Sequence, residues 1–294
     1  MAKSDFNRII REKDKLMDVG GLMSETRKMQ QLAYEQSIDF YAEQQAKNAE
    51  KDLTKRFTND AVRSTVFEKS LFDAISTNKG YNKEIRSYLR KFETIEKANT
   101  KLHKVLNKIN ISPVINLAKK ERGVVTAKLA TGIVGEIKKN LTGKAMREVF
   151  TKEVQKVLFD NLILGTPFST ARANLSEFIL GNVDKLGQLE RWSGQITQDA
   201  LKQYDGQINA MVAEEYEMNA YRYTGALKTT SRKQCVKWAH KKILPIDTLT
   251  KEISWAKSSG SGMIPGTNKK NFAIYRGGYR CGHDATPTFI EEDE

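Results

Sequence analysis

Residues 22–79 read LMSETRKMQQLAYEQSIDFYAEQQAKNAEKDLTKRFTNDAVRSTVFEKSLFDAISTNK and contain neither glycine nor proline. Strong helix formers (Glu, Gln, Lys, Arg, Ala and Leu) dominate the stretch. A thin apolar stripe recurs at the spacing of one helix face. Its members are Met29, Leu32, Ala33, Gln36, Phe40, Tyr41, Leu53, Phe57, Val62, Val66, Leu71 and Ile75. The pattern predicts long helices that pack on a partner or project as an arm.

Helix-breaking residues, mainly glycine and proline, divide the rest of the first 225 residues into further predicted helices. A break is predicted near 78–80, with a weaker one near 59–60, and a second helical run covers 81–110. It stops at Ser112-Pro113, because a residue before proline is disfavoured in the helical region. Residues 114–165 predict two or three helices. Gly165, Thr166 and Pro167 then indicate a helix stop, an N-cap and a new first turn, and one long helix is predicted over 187–224.

The sequence pattern changes after Gly225, where glycine-rich segments typical of loops become frequent. We predict a short strand over 226–230, a helix over 232–242 that Ser231 caps, and a strand over 271–276. The predicted fold is therefore mainly α, with a small α+β, loop-rich C-terminal region and a long N-terminal helical arm. The predicted regions are an extended arm (1–112), a helical part (113–225) and the small C-terminal part (226–294). The fragment from residue 113 onward is expected to fold without the arm.

The composition excludes several classes of protein. The chain of 294 residues carries 49 Lys+Arg against 36 Asp+Glu, a net charge of +13. No window approaches the ~20 consecutive apolar residues that a membrane span needs, and the N-terminus shows no apolar core of a secretory signal. Two cysteines do not make a disulfide scaffold. The net charge favours a polyanionic neighbour such as nucleic acid, with acidic protein surfaces as the alternative.

The charge is unevenly distributed. Residues 1–110 hold 22 basic and 16 acidic groups, and residues 111–160 hold 10 and 5. Residues 161–230 hold 6 and 8, and residues 231–294 hold 11 and 7. The candidate nucleic-acid contacts are Lys119, Lys120, Arg122, Lys138, Lys139, Arg276 and Arg280. Arg276 and Arg280 flank Gly277-Gly278, which suits either a phosphate-binding loop or a tight turn. The other basic residues suit either such contacts or solvated helix faces.

Four potential metal ligands lie in two close pairs, Cys235-x4-His240 and Cys281-x-His283. Two thiolates and two imidazoles can close a tetrahedral, structural zinc site, and Gly282 permits the sharp turn that a Cys-x-His pair requires. Two alternatives stay open: Cys235 packed as a small apolar residue with His240 in solvent, or a Cys235–Cys281 disulfide. The sequence contains no dinucleotide fingerprint, no phosphate-binding P-loop and no recognisable nucleophile motif, so no catalytic residue is assigned.

Several short motifs between residues 113 and 290 resemble one family. They are a Leu-x-x-Gly-x-x-x-Ser turn at 162–169, Asn219-Ala220-Tyr221, a Ser-Arg-x-x-Cys step at 231–235, and the closing loop Arg276-Gly277-Gly278-Tyr279-Arg280-Cys281-Gly282-His283 with Pro287. Together they are similar to the C-terminal part of tailed-phage head morphogenesis proteins, the minor head (capsid) proteins typified by the F protein of phage Mu. Gly282 stands where that family commonly has Arg, and Cys235 is single where some members have Cys-x-x-Cys.

The resemblance implies a non-enzymatic structural role. The protein would lie inside the head near the portal vertex, after a cytoplasmic stage during assembly, and assist head assembly and the packaging or ejection of DNA. Its expected partners are the portal protein, the major capsid protein and double-stranded DNA, with several copies around a symmetric vertex and no membrane contact. No cofactor is implied beyond the structural zinc discussed above. The alternative function is a metal-dependent nucleic-acid-processing enzyme or toxin.

Overall fold

A computed structural model of the protein describes residues 3–48, 53–120, 135, 137–259, 262–279 and 281–290. The helices are α1 (Lys3–Leu16), α2 (Gly20–Asn48), α3 (Leu53–Ser76), α4 (Lys79–Leu106), α5 (Ser112–Lys120), α6 (Lys144–Met146), α7 (Lys152–Ile163), α8 (Phe168–Ile179), α9 (Gln188–Glu215), α10 (Lys233–Lys241), α11 (Leu249–Ser258) and α12 (Phe272–Tyr275). The strands are β1 (Ala220–Thr224), β2 (Ile243–Pro245) and β3 (Asp284–Thr288). Residues 137–142 are also helical, and a π-helical turn, Arg147–Thr151, joins α6 to α7. The predicted fold class is confirmed.

Contacts within the chain define two compact units. The first comprises Met1–Asp18, Arg90–Ile133 and Thr197–Glu294, and the second comprises Val19–Leu89 and Val134–Ile196. The helices of residues 1–112 are therefore divided between the units, and the unit limits differ from the predicted boundaries at 112 and 225. The chain itself supplies the partner that the thin apolar stripe needs.

In the second unit, α2 packs on α8 and α3 packs on α7. Tyr41, Leu71, Ile75, Leu158 and Leu175 are fully buried there. The stripe predicted on α3 is wrong at two positions, since Val62 and Val66 are 61% and 65% exposed. Asp60, Ser64 and Glu68 lie on the buried side instead. Polar side chains can be buried on this face because hydrogen bonds stabilise them there in addition to apolar contacts.

The predicted helix stop at residues 164–167 is confirmed, but the capping differs. Gly165 adopts a left-handed conformation (φ 61°), and α8 begins at Phe168 with Pro167 as its N-cap. Thr166 therefore does not cap the helix. Its carbonyl oxygen accepts a hydrogen bond of 2.6 Å from the Tyr41 hydroxyl, which ties α2 to the turn.

The first unit contains the antiparallel sheet in the order β2-β1-β3. Tyr221 is opposite Leu244 on one side and Pro287 on the other. Tyr223, Trp238 and Phe272 form an aromatic core next to the sheet, with Trp238 at 5.6 Å from Tyr223 and 5.2 Å from Phe272 between ring centroids. These edge-to-face contacts give the small sheet a well-packed face.

The long helix predicted from residue 187 is confirmed except at its C-terminal end, and the two strands predicted at 226–230 and 271–276 are wrong. The long helix ends at Glu215 and not at 224, because the chain turns at Glu217 (φ 49°) and continues as β1. Residues 226–228 have no regular structure and residues 229 and 230 form a turn. The Ser231 hydroxyl accepts a hydrogen bond from the Lys228 amide, so Ser231 does not cap α10, whose N-cap is Arg232. The segment predicted as a strand at 271–276 contains the short helix α12, because the Asn271 carbonyl accepts bonds from the two amides of residues 274 and 275.

Candidate metal centre

Three parts of the first unit converge on the two cysteines. Cys235 lies in the first turn of α10, and Cys281 and His283 immediately precede β3. Tyr223 comes from β1, where it pairs with Ala285 of β3. Because β1 and β3 are hydrogen-bonded neighbours, residues 281–283 are brought beside Tyr223. The two cysteines, 46 positions apart in the sequence, meet there.

The three potential ligands form a tight, buried group. The Cys235 and Cys281 Sγ atoms are 3.9 Å apart, and Cys281 Sγ lies 3.7 Å from His283 Nδ1. All three ligand atoms lie within 4.8 Å of one another. The exposed fractions are 3% for Cys235, 7% for Cys281 and 4% for His283. The predicted meeting of the two sequence pairs is thus confirmed for these three residues.

His240 does not join them. It lies at the exposed end of α10, one turn and more beyond Cys235. Among the residues that the structure describes, the metal-ligand group contains only Cys235, Cys281 and His283. The structure therefore brings together three of the four residues predicted as ligands, since the helix carries His240 away from the thiols.

Tyr223 is the closest polar neighbour of the thiols. Its hydroxyl lies 3.5 Å from each Sγ, and its ring stacks on the His283 ring at a centroid distance of 5.2 Å. Burial, reinforced by the negative charge that the thiols can carry, raises the pKa of Tyr223 well above its ordinary value. The phenol therefore stays protonated and can donate a hydrogen bond to a thiolate.

Two glycines make room for this arrangement. A Cβ atom on Gly277 would lie 2.4 Å from Cys235 Sγ and 2.9 Å from Cys281 Sγ. A Cβ atom on Gly225, whose φ is 143°, would lie 2.8 Å from the His283 ring. Both positions require glycine because the cysteine and histidine side chains occupy the space. The glycine turn at 277–278 thus packs against the thiols.

The two thiols titrate as a pair. The hydrogen bond from the Cys235 thiol lowers the pKa of Cys281 well below its usual value, and bonding to His283 and the charge of Arg276 lower it further against the effect of burial. The same bond and burial raise the pKa of Cys235. Cys281 therefore loses its proton more easily than Cys235, and a bound metal cation would favour release of the second proton as well.

Three chemical outcomes remain for this pair. The two sulfurs would have to approach from 3.9 Å to about 2.05 Å to form a disulfide, and both cysteines are free thiols in the structure. Simple packing accounts for the burial but gives no role to the convergence of two sulfur atoms and an imidazole nitrogen within 4.8 Å of one another. Metal binding uses all three side chains, and thiolate with imidazole is the ligand set that zinc prefers.

A cleft of about 600 Å³ borders the three ligands. Its lining residues are Met17, Gln198, Asp199, Lys202, Ala226, Lys228, Thr230, Ser231, Arg232, Cys235, Cys281, Gly282 and His283. The cationic side chains in this lining outnumber the single carboxylate of Asp199. The cleft therefore favours a small anionic ligand next to the sulfur atoms.

The sequence missed a buried cluster of charges behind this site. Lys13 Nζ lies 2.6 Å from Asp205 Oδ1 and 3.9 Å from Asp284 Oδ2. Lys202 Nζ lies 2.9 Å from Asp284, and Arg276 lies 3.7 Å from Asp205 and 3.6 Å from Asp284. Burial alone would raise the pKa of Asp284, but Lys202, Lys13 and Arg276 outweigh it and lower that pKa. No spacing in the sequence signals this group, because its members come from four distant segments.

This cluster also corrects one candidate nucleic-acid contact. The Arg276 side chain is only 3% exposed and pairs with two carboxylates, so it does not present a surface to phosphate. Lys138 and Lys139 are exposed. Lys119 and Lys120 end α5, with only their backbone described, whereas Arg122 and Arg280 lie outside the described residues. The surface role of these remaining residues stays a prediction.

Two further findings concern the helices of the described part of the chain and the comparison of the sequence with known proteins. Within the described part of the chain, no helix has the length and apolar character needed to span a membrane. Family models, curated proteins and solved structures give no match to this sequence.

Proposed function

We propose that this chain is a structural protein of a tailed-phage head, located inside the capsid near the portal vertex. The support is that separate motifs of the resemblance lie in one folded core. Tyr221 of the Asn-Ala-Tyr motif pairs with Pro287, and the Tyr223 hydroxyl contacts the thiols of Cys235 and Cys281. Motifs that are far apart in sequence are expected to meet in space if they preserve one architecture.

A second motif residue supports the same interpretation. The side-chain amide of Asn219 donates a 2.8 Å hydrogen bond to the Ile290 carbonyl and accepts one of 2.8 Å from the Ile290 amide. This pair of bonds fastens the chain beyond β3 to the start of β1. A role in maintaining the fold suits a structural protein, in which the motif residues hold a docking domain in shape.

The test is co-assembly with the portal protein encoded in the same genome. The full chain is expressed with that portal protein and sedimented on a gradient, with the major capsid protein as a second candidate. We expect the chain to move with the portal rings. Sedimentation of the chain at its own light position in both mixtures contradicts the proposal.

Contact with DNA is a separate part of the proposal, supported by the exposed pair Lys138 and Lys139. If both side chains contact phosphate, changing both to Gln makes the negative slope of log K against log salt shallower by about 2. A double change of Lys152 and Lys156, exposed lysines of the same unit, is the control and leaves the slope unchanged. Binding that does not respond to salt removes the DNA role.

The alternative is a metal-dependent nucleic-acid-processing enzyme, which the cleft beside Cys235, Cys281 and His283 favours. Incubation of the zinc-loaded full chain with single- and double-stranded DNA and RNA separates the two functions. We expect no cleavage. Cleavage that chelators abolish and that Cys281→Ser removes favours the enzyme.

A further inference from the structure

We propose that Cys235, Cys281 and His283 bind one zinc ion with three protein ligands, and that the fourth position is open to a small anionic ligand from the adjoining cleft. This inference rests on the geometry of the first unit and is independent of the proposed role in the phage head. It differs from a closed structural site of four protein ligands in its coordination and in its ability to exchange a ligand.

The ligand spacings match tetrahedral zinc. Zn–S bonds of about 2.3 Å and Zn–N bonds of about 2.0–2.1 Å place two sulfurs about 3.8 Å apart and a sulfur about 3.6 Å from a nitrogen. The observed separations are 3.9 Å between the sulfurs and 3.7 Å from Cys281 Sγ to His283 Nδ1. The remaining pair lies within 4.8 Å, so a modest side-chain adjustment completes the site.

Charge balance favours the ion in this buried place. Two thiolates cancel the double charge of zinc, so the loaded site is neutral, whereas an isolated buried ion would carry a large desolvation penalty. The Tyr223 hydroxyl, 3.5 Å from each sulfur, supplies the outer hydrogen bond that commonly orients metal ligands. Gly277 provides the space in which the two sulfurs converge.

The cleft determines the fourth ligand. All three protein ligands lie in its wall, and Lys202, Lys228 and Arg232 line it as well. A zinc site with three protein ligands keeps a position for water or another exchangeable group. Lys202 is paired with Asp284, so Lys228 and Arg232 are the cations that favour a negative occupant, such as hydroxide, chloride or a carboxylate.

Metal content of the full chain, purified under reducing conditions, tests the ligand set. We expect one zinc per chain, or one cobalt after exchange, with near-ultraviolet thiolate bands and strong visible bands of tetrahedral Co²⁺. Cys235→Ser, Cys281→Ser and His283→Gln are each expected to weaken binding by at least about tenfold. His240→Gln, on the same helix as Cys235, is the matched control and retains the metal.

An anion titration tests the open position. Titration of the cobalt-loaded chain with azide is expected to shift the visible bands. Bands that azide leaves unchanged overturn the open position. Loss of metal in His240→Gln overturns the three-ligand set.

The cobalt spectrum of the unaltered chain keeps the proposal falsifiable if the cysteine variants do not fold. A reduced, unaltered chain that binds no metal, or a Cys235–Cys281 disulfide that persists under reducing conditions, overturns the site itself.

Discussion

At the scale of single residues, the buried charges of the first unit dominate. Asp205 accepts a hydrogen bond from Asn99 and faces both Lys13 and Arg276. Asp284 faces Lys13, Lys202 and Arg276. The two carboxylates and these three cations form the five-charge cluster. Because the side chains of Lys13 and Asp205 are fully buried, each charge depends on its partners and not on water.

Removal of the Asp205 charge is expected to cost more than removal of Lys13. Asp205→Asn leaves three cations with one carboxylate in the cluster and should lower the free energy of unfolding by about 3 kcal/mol. Lys13→Met leaves two cations with two carboxylates and should lower it by less than Asp205→Asn does, because the remaining charges balance. Chemical denaturation measures both, with the exposed Glu215→Gln on the same helix as control. Equal losses contradict this account of the cluster.

His103 gives the molecule a dependence on pH. Its Nε2 is 3.2 Å from Asn209 Oδ1, and its Nδ1 is 3.0 Å from Asn107 Nδ2. Burial lowers the pKa of His103 from 6.5 to about 4, with Lys13 lowering it further and Asn209 and Asp205 opposing the shift. The folded protein therefore holds this histidine neutral.

The sign of the pH effect follows from the lowered pKa. The unfolded chain takes up the proton first, so the stability contributed by neutral His103 is present above pH 6.5 and is lost as the pH falls toward 4. Between pH 7.5 and pH 5 the loss should be about 2 kcal/mol. Unfolding curves of the protein and of His103→Gln at both values measure it. A variant with the same pH dependence as the parent contradicts the assignment.

At the scale of elements, the π-helical turn in the second unit depends on one carboxylate. Arg147 donates two hydrogen bonds to Glu68 Oε2, the shorter of 2.7 Å, and the Thr151 hydroxyl donates to Oε1. Burial raises the pKa of Glu68, but these bonds to Arg147 and Thr151 outweigh it, so that the pKa is lowered overall. Glu68 of α3 thus holds both ends of the turn.

Glu68→Gln is expected to destabilise the second unit. The glutamine amide cannot accept all of these hydrogen bonds, and the buried partner of Arg147 loses its negative charge. The change should lower the free energy of unfolding by about 1.5–3 kcal/mol, the range for a hydrogen bond to a charged group. Thermal or urea unfolding measures it, with the exposed Glu153→Gln of α7 as the matched control. A loss no larger than that of the control contradicts the role of Glu68.

The same elements show what the sequence predicts well. The absence of glycine and proline over 22–79 predicts long helices, and the break near 78–80 lies where α3 ends and α4 begins. The thin stripe was harder to read, because α2 buries Gln30, Ser37 and Gln44 in hydrogen bonds. A pattern of apolar residues cannot indicate a face whose polar groups are satisfied by distant partners.

For the candidate site, the residue types in the sequence indicated potential metal ligands, but the sequence did not indicate which of these residues would meet in space. Cys235, Cys281 and His283 were recognisable as ligand types from their pairs in the sequence. The exclusion of His240 depended on the direction of α10, and the participation of Tyr223 depended on the start of β1 at Ala220. Both facts follow from where a helix or strand begins, which local residue patterns define poorly.

At the scale of the whole molecule, the N-terminal region is part of the folded protein. Lys13 of α1 and Leu102 and His103 of α4 are fully buried within the first unit. The expectation that the chain from residue 113 folds alone therefore needs correction. That fragment lacks the cation opposite Asp205 and the helix that carries His103.

The fragment 113–294 is expected to lose cooperative unfolding. Without α1 and α4, it exposes the apolar side of α9 and leaves Asp205 with fewer partners. Circular dichroism during urea titration compares it with the full chain at equal concentration. A single sharp transition of the fragment, with the same midpoint as the first unit of the full chain, contradicts the expected dependence on the N-terminal helices.

We propose that the protein is a component of a tailed-phage head. Quantitative mass spectrometry of purified, DNA-filled particles tests it most directly, with the copies of this chain counted against the major capsid protein. The account predicts that the chain is present at low copy number, in a fixed ratio to the portal protein, after free protein has been removed. Its absence from such particles, while it is abundant in the infected-cell lysate, would contradict the claim.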